Sequence, residues 1–311
     1  MIWLFGVNFV KMTEKQRFDW SDLADTQAFI MWGTDKLDGA KRSLERAPVT
    51  IGKLGCPDAG SIAEVVERCR KDNWAVYESS ESESDSELVR TGLRGFASAF
   101  GLQIAEAHRS AGDHGIVELR QTDEQRQRGY IPYSNRAMNW HTDGYYNGPA
   151  DHISSFVLHN VQQASSGGVN QLIDPEIVYI RLRQSNPAFV AALMHREAMV
   201  IPENREPDGS IRPVSVGPVF FADPATGRLQ MRYTARTRSI EWRDDPATGE
   251  AVDFLRELLA SEPLTCTIRL KPGQGILNNN VLHNRTEFED DKDSGTRIVY
   301  RVRFHNRVGG V

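Results

Sequence analysis

The last two thirds of this 311-residue chain consist of short runs of apolar residues, or of alternating apolar and polar residues, separated by glycine, proline and asparagine. This texture begins after Gly115 and is typical of β-strands joined by turns. Two helix-like runs, residues 175–194 and 246–261, interrupt it without a βαβ rhythm, which predicts a barrel or sandwich rather than a doubly wound parallel sheet. The nine candidate strands are residues 115–120, 152–161, 168–174, 198–202, 218–223, 229–234, 264–270, 273–284 and 296–304.

The first ninety residues have a different, mostly helical texture. A strand and turn are expected at residues 49–58, and Ser61 is the predicted N-cap of the following helix, with Glu64 at capping-box spacing. The sequence predicts that residues 1–90 form an N-terminal extension with helices that packs on a core of residues 91–311, within one compact domain. Helices are predicted at residues 19–46 and 87–102, and residues 61–78 are predicted to form a helix that runs into a strand.

Two segments near the N-terminus have more than one interpretation. The apolar run after Met1 is too short to span a bilayer and lacks the flanks of a secretion signal. It is either an over-extended start, with Met12 as the natural initiator, or a strand. The acidic, serine-rich tract at residues 79–87 is either a solvated loop or a phosphorylation site.

Composition narrows the classes of partner. The apolar content of 40% and the charged content of 25% are those of an ordinary globular protein. A net charge of -5 argues against nucleic-acid binding, which requires clustered lysine and arginine, so a small-molecule partner is expected. Cys56, Cys69 and Cys266 lack paired zinc-site spacing and predict free thiols in a reducing, cytoplasmic compartment. No membrane association is expected, and a homo-oligomer is compatible with the sequence.

The stretch NWHTDGYYN, residues 139–147, places an imidazole and a carboxylate two positions apart. In an extended segment such residues point to the same side, so His141 and Asp143 can direct ligand atoms to one point. Gly144 then allows the backbone to turn away. The alternatives are a polar surface turn or a simple hydrogen bond between the two side chains.

His283, near the end of a distant strand-like run, is the best candidate for a third ligand. Two histidines and one carboxylate on one face of a metal leave three adjacent octahedral positions open, which is characteristic of non-heme Fe(II) oxygenases. A structural metal site would close those positions. The pattern therefore favours a catalytic metal over a structural one.

The run TRIVYRVRF, residues 296–304, alternates between apolar and mostly basic faces. Arg297, Arg301 and Arg303 lie on one face together with Val299. An exposed strand would show the same pattern. In a barrel interior beside a metal, however, a guanidinium can hold a carboxylate through two parallel hydrogen bonds.

The combination of His141-x-Asp143, a distal His283 and an R-x-x-x-R pair formed by Arg297 and Arg301 resembles the TauD/TfdA-like family of Fe(II)/2-oxoglutarate-dependent oxygenases. The run YSNRAMNWHTDGYY is similar to the γ-butyrobetaine and trimethyllysine hydroxylase branch, and GPVFFADPATGRLQMRY to the glutarate hydroxylase branch. The likeness extends roughly from Gly115 to Arg303.

The resemblance implies a double-stranded β-helix, also called a jelly-roll or cupin-like barrel, mostly β with flanking helices. It implies that His141, Asp143 and His283 bind Fe(II), and that Arg297 binds the distal carboxylate of 2-oxoglutarate. Arg301 would meet either the C1 carboxylate of 2-oxoglutarate or a substrate anion. The implied reaction uses O2, hydroxylates a small polar or anionic metabolite, and releases succinate and CO2.

The chain departs from the family pattern at one position of the cosubstrate site. Many relatives have a threonine after the Gly-Gly that follows the first ligands, and here Asn170 takes that position in GGVNQL. An amide can still donate a hydrogen bond to a carboxylate. Asn170 is therefore predicted to contact 2-oxoglutarate.

Aromatic and polar residues on both sides of the first ligands are candidates for substrate binding. An aromatic cage would suit a quaternary ammonium group, and arginines would suit a carboxylate. The alternatives are core aromatics and solvated arginines. The candidates are Tyr133, Asn135, Tyr145, Tyr146, Tyr233 and Arg236.

Two other functions fit parts of the pattern. The same three ligands around zinc would suit a hydrolase or isomerase, since three protein ligands leave room for water. The zinc interpretation does not explain the arginines of the predicted strand at residues 296–304, which we call the arginine strand. The other alternative is a non-catalytic, cupin-like binding protein that has kept the barrel.

Overall fold

The protein is described from a computed structural model, which covers residues 18–79, 85–105, 115–122, 130–148, 151–205, 209–291 and 295–310. The apolar run at the N-terminus and most of the serine-rich acidic tract lie outside these residues, as do His108 and His114. None of the described helices is long and apolar enough to cross a membrane.

Six α-helices form within the described residues, and each begins after an aspartate or asparagine whose side chain accepts a hydrogen bond from the first turn. The Ser61 cap was a wrong prediction, because Asp58 caps that helix by accepting from the backbone N–H groups of Gly60 and Ser61. The helices are α1 (Thr26–Ser43), α2 (Ala59–Asp72), α3 (Ser86–Ala99), α4 (Pro175–Ser185), α5 (Pro187–Leu193) and α6 (Pro246–Ser261).

The strands of the described residues are short, and many have only two residues. The first eleven are β1 (Val49–Thr50), β2 (Gly52–Lys53), β3 (Cys56–Pro57), β4 (Trp74–Glu78), β5 (Ile116–Leu119), β6 (Met138–His141), β7 (Ser155–Gln162), β8 (Ser166–Gly167), β9 (Asn170–Ile173), β10 (Met199–Ile201) and β11 (Asn204–Arg205). The others are β12 (Ile211–Arg212), β13 (Ser215–Gly217), β14 (Phe220–Ala222), β15 (Leu229–Met231), β16 (Glu241–Trp242), β17 (Cys266–Ile268), β18 (Gln274–Asn278), β19 (Leu282–Arg285), β20 (Phe288–Glu289) and β21 (Ile298–Phe304).

Two sheets form the framework. The larger has six strands in the order β1-β4-β18-β7-β21-β5, and the smaller has four in the order β17-β9-β19-β6. Apolar side chains of both sheets share one core cluster, in which Val76 and Ile276 of the larger sheet meet Leu172 and Cys266 of the smaller. The sheets therefore pack face to face as a β-sandwich.

Helices cover the framework on two sides. Side chains of α2 and α3, among them Val65 and Phe96, share a core cluster with Leu277 and Tyr300 of the larger sheet. Helices α4, α5 and α6 form a second cluster with β10, β14 and β15. Strands β1 and β4, from the part expected to pack on the core, belong to the larger sheet.

Two predicted elements are each divided in the structure. The expected helix at residues 175–194 is broken at Asn186, because Pro187 starts a new helix. The expected strand at residues 273–284 is two strands, β18 in the larger sheet and β19 in the smaller. Asn280, with φ of 53°, makes the turn between them. This turn carries the chain from one sheet to the other just before His283.

Candidate metal centre

The two histidines of the predicted triad face each other across neighbouring strands. His141 is the last residue of β6, and it is the ladder partner of His283 in β19. The centroids of their rings are 4.2 Å apart. A pairing across two antiparallel strands thus joins residues that are far apart in the sequence.

Asp143 completes the cluster from the turn that follows β6. Its Oδ1 lies 3.8 Å from His141 Nε2, and the ligand atoms of His141, Asp143 and His283 all lie within 4.8 Å of one another. All three residues are at most 8% exposed. Gly144, with φ of +69°, turns the chain here, and a Cβ at this position would lie only 2.7 Å from the Ile153 side chain.

The side chain of Asn280 fixes the backbone on both sides of this turn. Its Oδ1 accepts from the N–H of Asp143 at 2.8 Å, and its Nδ2 donates to the carbonyls of Asp143 at 2.9 Å and Ile153 at 2.8 Å. The residue is 1% exposed. Asn280 therefore couples the backbone before His283 directly to the backbone of Asp143.

We expect Asn280→Ala to weaken Fe(II) binding by about 10- to 100-fold, the usual cost of losing a group that orients a metal ligand. The substitution leaves buried backbone groups of Asp143 and Ile153 unpaired and places alanine at a positive φ. Asn279→Ala is the matched control, because Asn279 is equally buried and hydrogen-bonded but contacts Cys69, Asn73 and Val308. Anaerobic Fe(II) titrations that give both variants the same affinity would contradict this role.

Both imidazoles present a bare nitrogen to the cluster. Nδ1 of His141 lies 2.9 Å from the Asn139 carbonyl, and Nδ1 of His283 lies 3.0 Å from the Val281 carbonyl. Because a carbonyl only accepts, each ring carries its proton on Nδ1 and a lone pair on Nε2. Burial and the neighbouring His283 lower the pKa of His141 to about 3, and burial also lowers the pKa of His283. Both rings are neutral at pH 7, as metal ligation requires.

Two arginines of β21 hold the carboxylate of Asp143. Arg303 Nε donates to Oδ2 at 2.7 Å, and Arg301 Nη1 donates to Oδ1 at 3.3 Å. Burial acts to raise the pKa of Asp143, but Arg301 and Arg303 hold it well below its usual value of 3.8. Both arginines are at most 7% exposed, so this face of β21 lines the interior, as the second interpretation of the arginine strand predicted.

Arg297 and Asn170 line one small polar recess of about 10 Å³, together with Gly168. Arg297 is 6% exposed, and its guanidinium lies over the Phe288 ring, 5.2 Å from the centroid. Burial, and next the nearby Arg285, lower the pKa of Arg297 to about 9. This buried cation has an environment that an anionic group would stabilise. Among the described residues, those that line this recess differ from those that line the cavity beside His141 and Asp143.

A cavity of about 610 Å³ opens beside His141 and Asp143. Arg212 Cζ lies 5.7 Å from the ring centroid of Tyr146, and Arg236 Cζ lies 5.8 Å from that of Tyr145. A cage for a quaternary ammonium group is therefore disfavoured at these two rings, because a guanidinium already lies over each. The other lining residues of interest are Tyr133, Arg301, Arg303, Asp151 and Glu203.

Two of the predicted substrate residues lie elsewhere. Tyr233 is 1% exposed and packs against Trp242, in the cluster formed with the helices. The backbone carbonyl of Tyr233 accepts a hydrogen bond from the N–H of Thr142 at 3.0 Å, and Thr142 lies between the ligands His141 and Asp143. Asn135 is exposed, and its carbonyl accepts from the Phe288 backbone. Neither belongs to the described residues that line the cavity, so a substrate role for Tyr233 and Asn135 stays a prediction without support from the cavity lining.

Three residues of the site were not assigned a role from the sequence. Alternation placed Arg303 on the face of Arg301, but nothing in the sequence identified Asp143 as its partner. Asn280 belongs to an asparagine run whose members could not be told apart. Arg212 lies in a polar segment without periodicity, and only the tertiary fold brings it to Tyr146.

The geometry defines a class of protein. Two neutral imidazoles and one ionised carboxylate converge from two strands of a jelly-roll-like sandwich, next to a cavity. This donor set fits a divalent metal that keeps three open positions, as in non-heme Fe(II) oxygenases.

Comparison with known families agrees with this class. Residues 85–303 match the family described as "Taurine catabolism dioxygenase TauD, TfdA family", and the chain belongs to this family. It is therefore a non-heme, Fe(II)- and 2-oxoglutarate-dependent dioxygenase that uses O2, and the zinc-hydrolase and non-catalytic alternatives are set aside. No curated protein matches the sequence significantly.

Solved structures confirm the double-stranded β-helix fold. An asparagine oxygenase in complex with Fe(II), 2S,3S-3-hydroxyasparagine and succinate has 14% identity and a TM-score of 0.57, with 88% of this chain and 90% of that chain covered. The non-heme iron oxygenase OrfP, in complex with Fe, succinate and (3R,4R)-dihydroxy-L-Arg, has 12% identity and a TM-score of 0.61, covering 90% and 92%. The PvcB protein of Pseudomonas aeruginosa has 17% identity and a TM-score of 0.54, covering 79% and 80%.

Proposed function

We propose that this dioxygenase hydroxylates a small anionic metabolite and releases succinate and CO2. The observation that carries the proposal is the convergence of His141, Asp143 and His283 beside a cavity that also contains buried and rim arginines. Structurally similar oxygenases are described with hydroxylated asparagine and arginine, which supports a small polar substrate. The free cysteines support a reducing, cytoplasmic setting.

His141, Asp143 and His283 would hold the iron, with the Nε2 atoms and Asp143 Oδ1 as donors. Arg297 and Asn170 would bind the distal carboxylate of 2-oxoglutarate in their shared recess. Gly168 supports this assignment, because a Cβ there would lie 3.2 Å from Arg297 Nε and restrict the guanidinium. A buried guanidinium that faces an incoming carboxylate can form paired, charge-assisted hydrogen bonds.

The substrate would bind in the 610 Å³ cavity, on the side of Tyr145 and Tyr146. Arg236 is exposed, lines the cavity beside the Tyr145 ring, and would bind the anionic group of the substrate. Arg301 lies deeper, 3.3 Å from Asp143 Oδ1, and would meet either the C1 carboxylate of 2-oxoglutarate or the substrate anion. Because the exposed Arg236 and the buried Arg301 both carry positive charge, the cavity favours an anionic over a cationic substrate.

When bound, iron and 2-oxoglutarate supply the oxidant, made from O2, that replaces a substrate C–H bond by C–OH. The protein's own contribution is orientation and exclusion of water. Tyr133 and Tyr145 are at most 8% exposed and form apolar walls beside the ligands, while the arginines fix the anionic end of the substrate. No acid or base side chain is required.

Anaerobic titration of the full chain with Fe(II) and then 2-oxoglutarate tests the proposal. We expect a weak visible charge-transfer band, because the keto acid chelates ferrous iron, and no band when Zn(II) replaces Fe(II). In air, succinate formation should require Fe(II). A chain that binds neither Fe(II) nor 2-oxoglutarate would contradict the proposal.

A panel of paired compounds tests the charge of the substrate. Each pair contains a carboxylate or sulfonate and its neutral amide or alcohol, with betaines as the cationic comparison. We expect succinate formation to rise with the anionic member of a pair and not with its neutral partner. Stimulation by neutral members alone would contradict an anionic substrate while leaving the dioxygenase assignment in place.

A further inference from the structure

The two oxygens of the Asp143 carboxylate have different surroundings. Oδ1 is the oxygen closest to His141, 3.8 Å from Nε2, and therefore faces the position that the three ligand groups share. Oδ2 accepts a short hydrogen bond of 2.7 Å from Arg303 Nε. The longer contact of Arg301, at 3.3 Å, is made to Oδ1. Among the described residues, Arg303 is therefore the hydrogen-bond partner of the carboxylate oxygen that is farther from His141.

The number of carboxylate oxygens on the metal decides how many positions stay open. An aspartate can bind a metal through one oxygen or through both. With two imidazoles and one oxygen, three of six positions remain, which is the number that a bidentate keto acid and O2 need together. A second oxygen from Asp143 would occupy one of them.

We propose that Arg303 is a positioning residue that restricts Asp143 to one-oxygen ligation and so keeps the third position open. This inference rests on the proposed binding of Fe(II) by His141, Asp143 and His283. The Arg303 guanidinium holds Oδ2 in a charge-assisted hydrogen bond, and that oxygen must lose the bond before it can turn to the metal.

Arg303 is itself held in place, which a restraining group requires. Its Nη1 donates to the Tyr146 hydroxyl at 3.2 Å, and the side chain is 7% exposed. Its strand, β21, lies between β5 and β7 in the larger sheet. Tyr146 lines the cavity, so the same guanidinium joins the carboxylate ligand to the substrate side of the site.

The variant Arg303→Lys tests the hydrogen bond to Asp143 Oδ2 separately from the positive charge of the side chain. Lysine keeps the cation but places a methylene at the position of Nε, so the Nε–H donor that holds Oδ2 is removed. We expect Fe(II) to bind R303K at least as tightly as wild type, because a freed oxygen favours a cation. The Kd of the Fe(II) form for 2-oxoglutarate should rise by about 10-fold or more. In infrared difference spectra of ¹³C-aspartate-labelled protein, the two carboxylate stretches of the ligated aspartate should move closer together, as for two-oxygen ligation.

Arg183→Lys is the matched control, because Arg183 is equally buried but hydrogen-bonds Tyr179 and the Asp22 and Asp25 carbonyls. Arg183→Lys should lower stability, but its infrared difference spectrum and its Kd for 2-oxoglutarate should remain those of the wild type. Arg303→Met, which also removes the charge, should show the same infrared change as R303K and serves if R303K does not fold. Wild-type spectra and wild-type 2-oxoglutarate affinity in R303K would overturn the role of Arg303. A wild-type chain without the Fe(II) and 2-oxoglutarate band would instead reject the proposed function.

Discussion

Asp143→Ala is expected to lower Fe(II)-dependent conversion of 2-oxoglutarate to succinate by more than about 100-fold, beyond the usual cost of losing a group that only orients a ligand. The substitution removes one of three metal ligands. It also leaves Arg301 and Arg303, both at most 7% exposed, without the carboxylate that they share. Their uncompensated charges then oppose a cation at the site, so both the affinity for Fe(II) and the turnover should fall.

Asp151→Ala is the control for this prediction, since Asp151 lines the same cavity but lies outside the ligand cluster. Succinate formation and Fe(II) affinity are measured for both variants, together with thermal unfolding. Asp143→Asn, which keeps the shape of the side chain and loses its charge, should resemble Asp143→Ala in turnover. Equal turnover in Asp143→Ala and wild type would show that another residue supplies the third ligand.

Two of the three ligands could be predicted from local sequence. His141 ends β6 and Asp143 lies two positions later in the following turn, and this spacing predicted that both bind one metal. His283 is distant in the sequence and was predicted from the need for a third ligand. The alternation of residues in β21 likewise places Arg301 and Arg303 on one face of that strand. Alternation in the sequence predicts which side chains share a face, because successive side chains of a strand point to opposite faces.

The sequence could not indicate which element each face of a strand packs against in the folded protein. Tyr233 follows β15, and its ring packs in the cluster that contains side chains of α4, α5 and α6. The contact of Arg303 with Asp143 depends on the two sheets facing each other. The break lies within the run Asn278-Asn279-Asn280, and the sequence does not show that Asn280 makes the turn from β18 to β19.

The N-terminal helix is predicted to have a large effect on stability through one buried cation. Lys36 Nζ of α1 lies 2.5 Å from Asp174 Oδ2 and 2.6 Å from Glu176 Oε2, with side chains that are 7%, 2% and 12% exposed. Burial acts to lower the pKa of Lys36, but the two carboxylates raise it above its usual value. Asp174 caps α4 directly after β9, and β9 pairs with the strand that carries His283. The cluster therefore joins α1 to the ligand framework.

We expect Lys36→Met to lower the free energy of unfolding by about 3–5 kcal/mol, because it leaves two buried carboxylates without their counter-ion. Lys41→Met is the matched control on the same helix, where the ion pair with Asp38 is 67% and 54% exposed and contributes at most about 1 kcal/mol. Adding Asp174→Asn and Glu176→Gln to Lys36→Met should restore part of the loss, since amides keep hydrogen bonds without unpaired charge. Denaturant unfolding of the four proteins provides the measurement. If Lys36→Met and Lys41→Met lower stability equally, the buried cluster does not hold α1 to the framework.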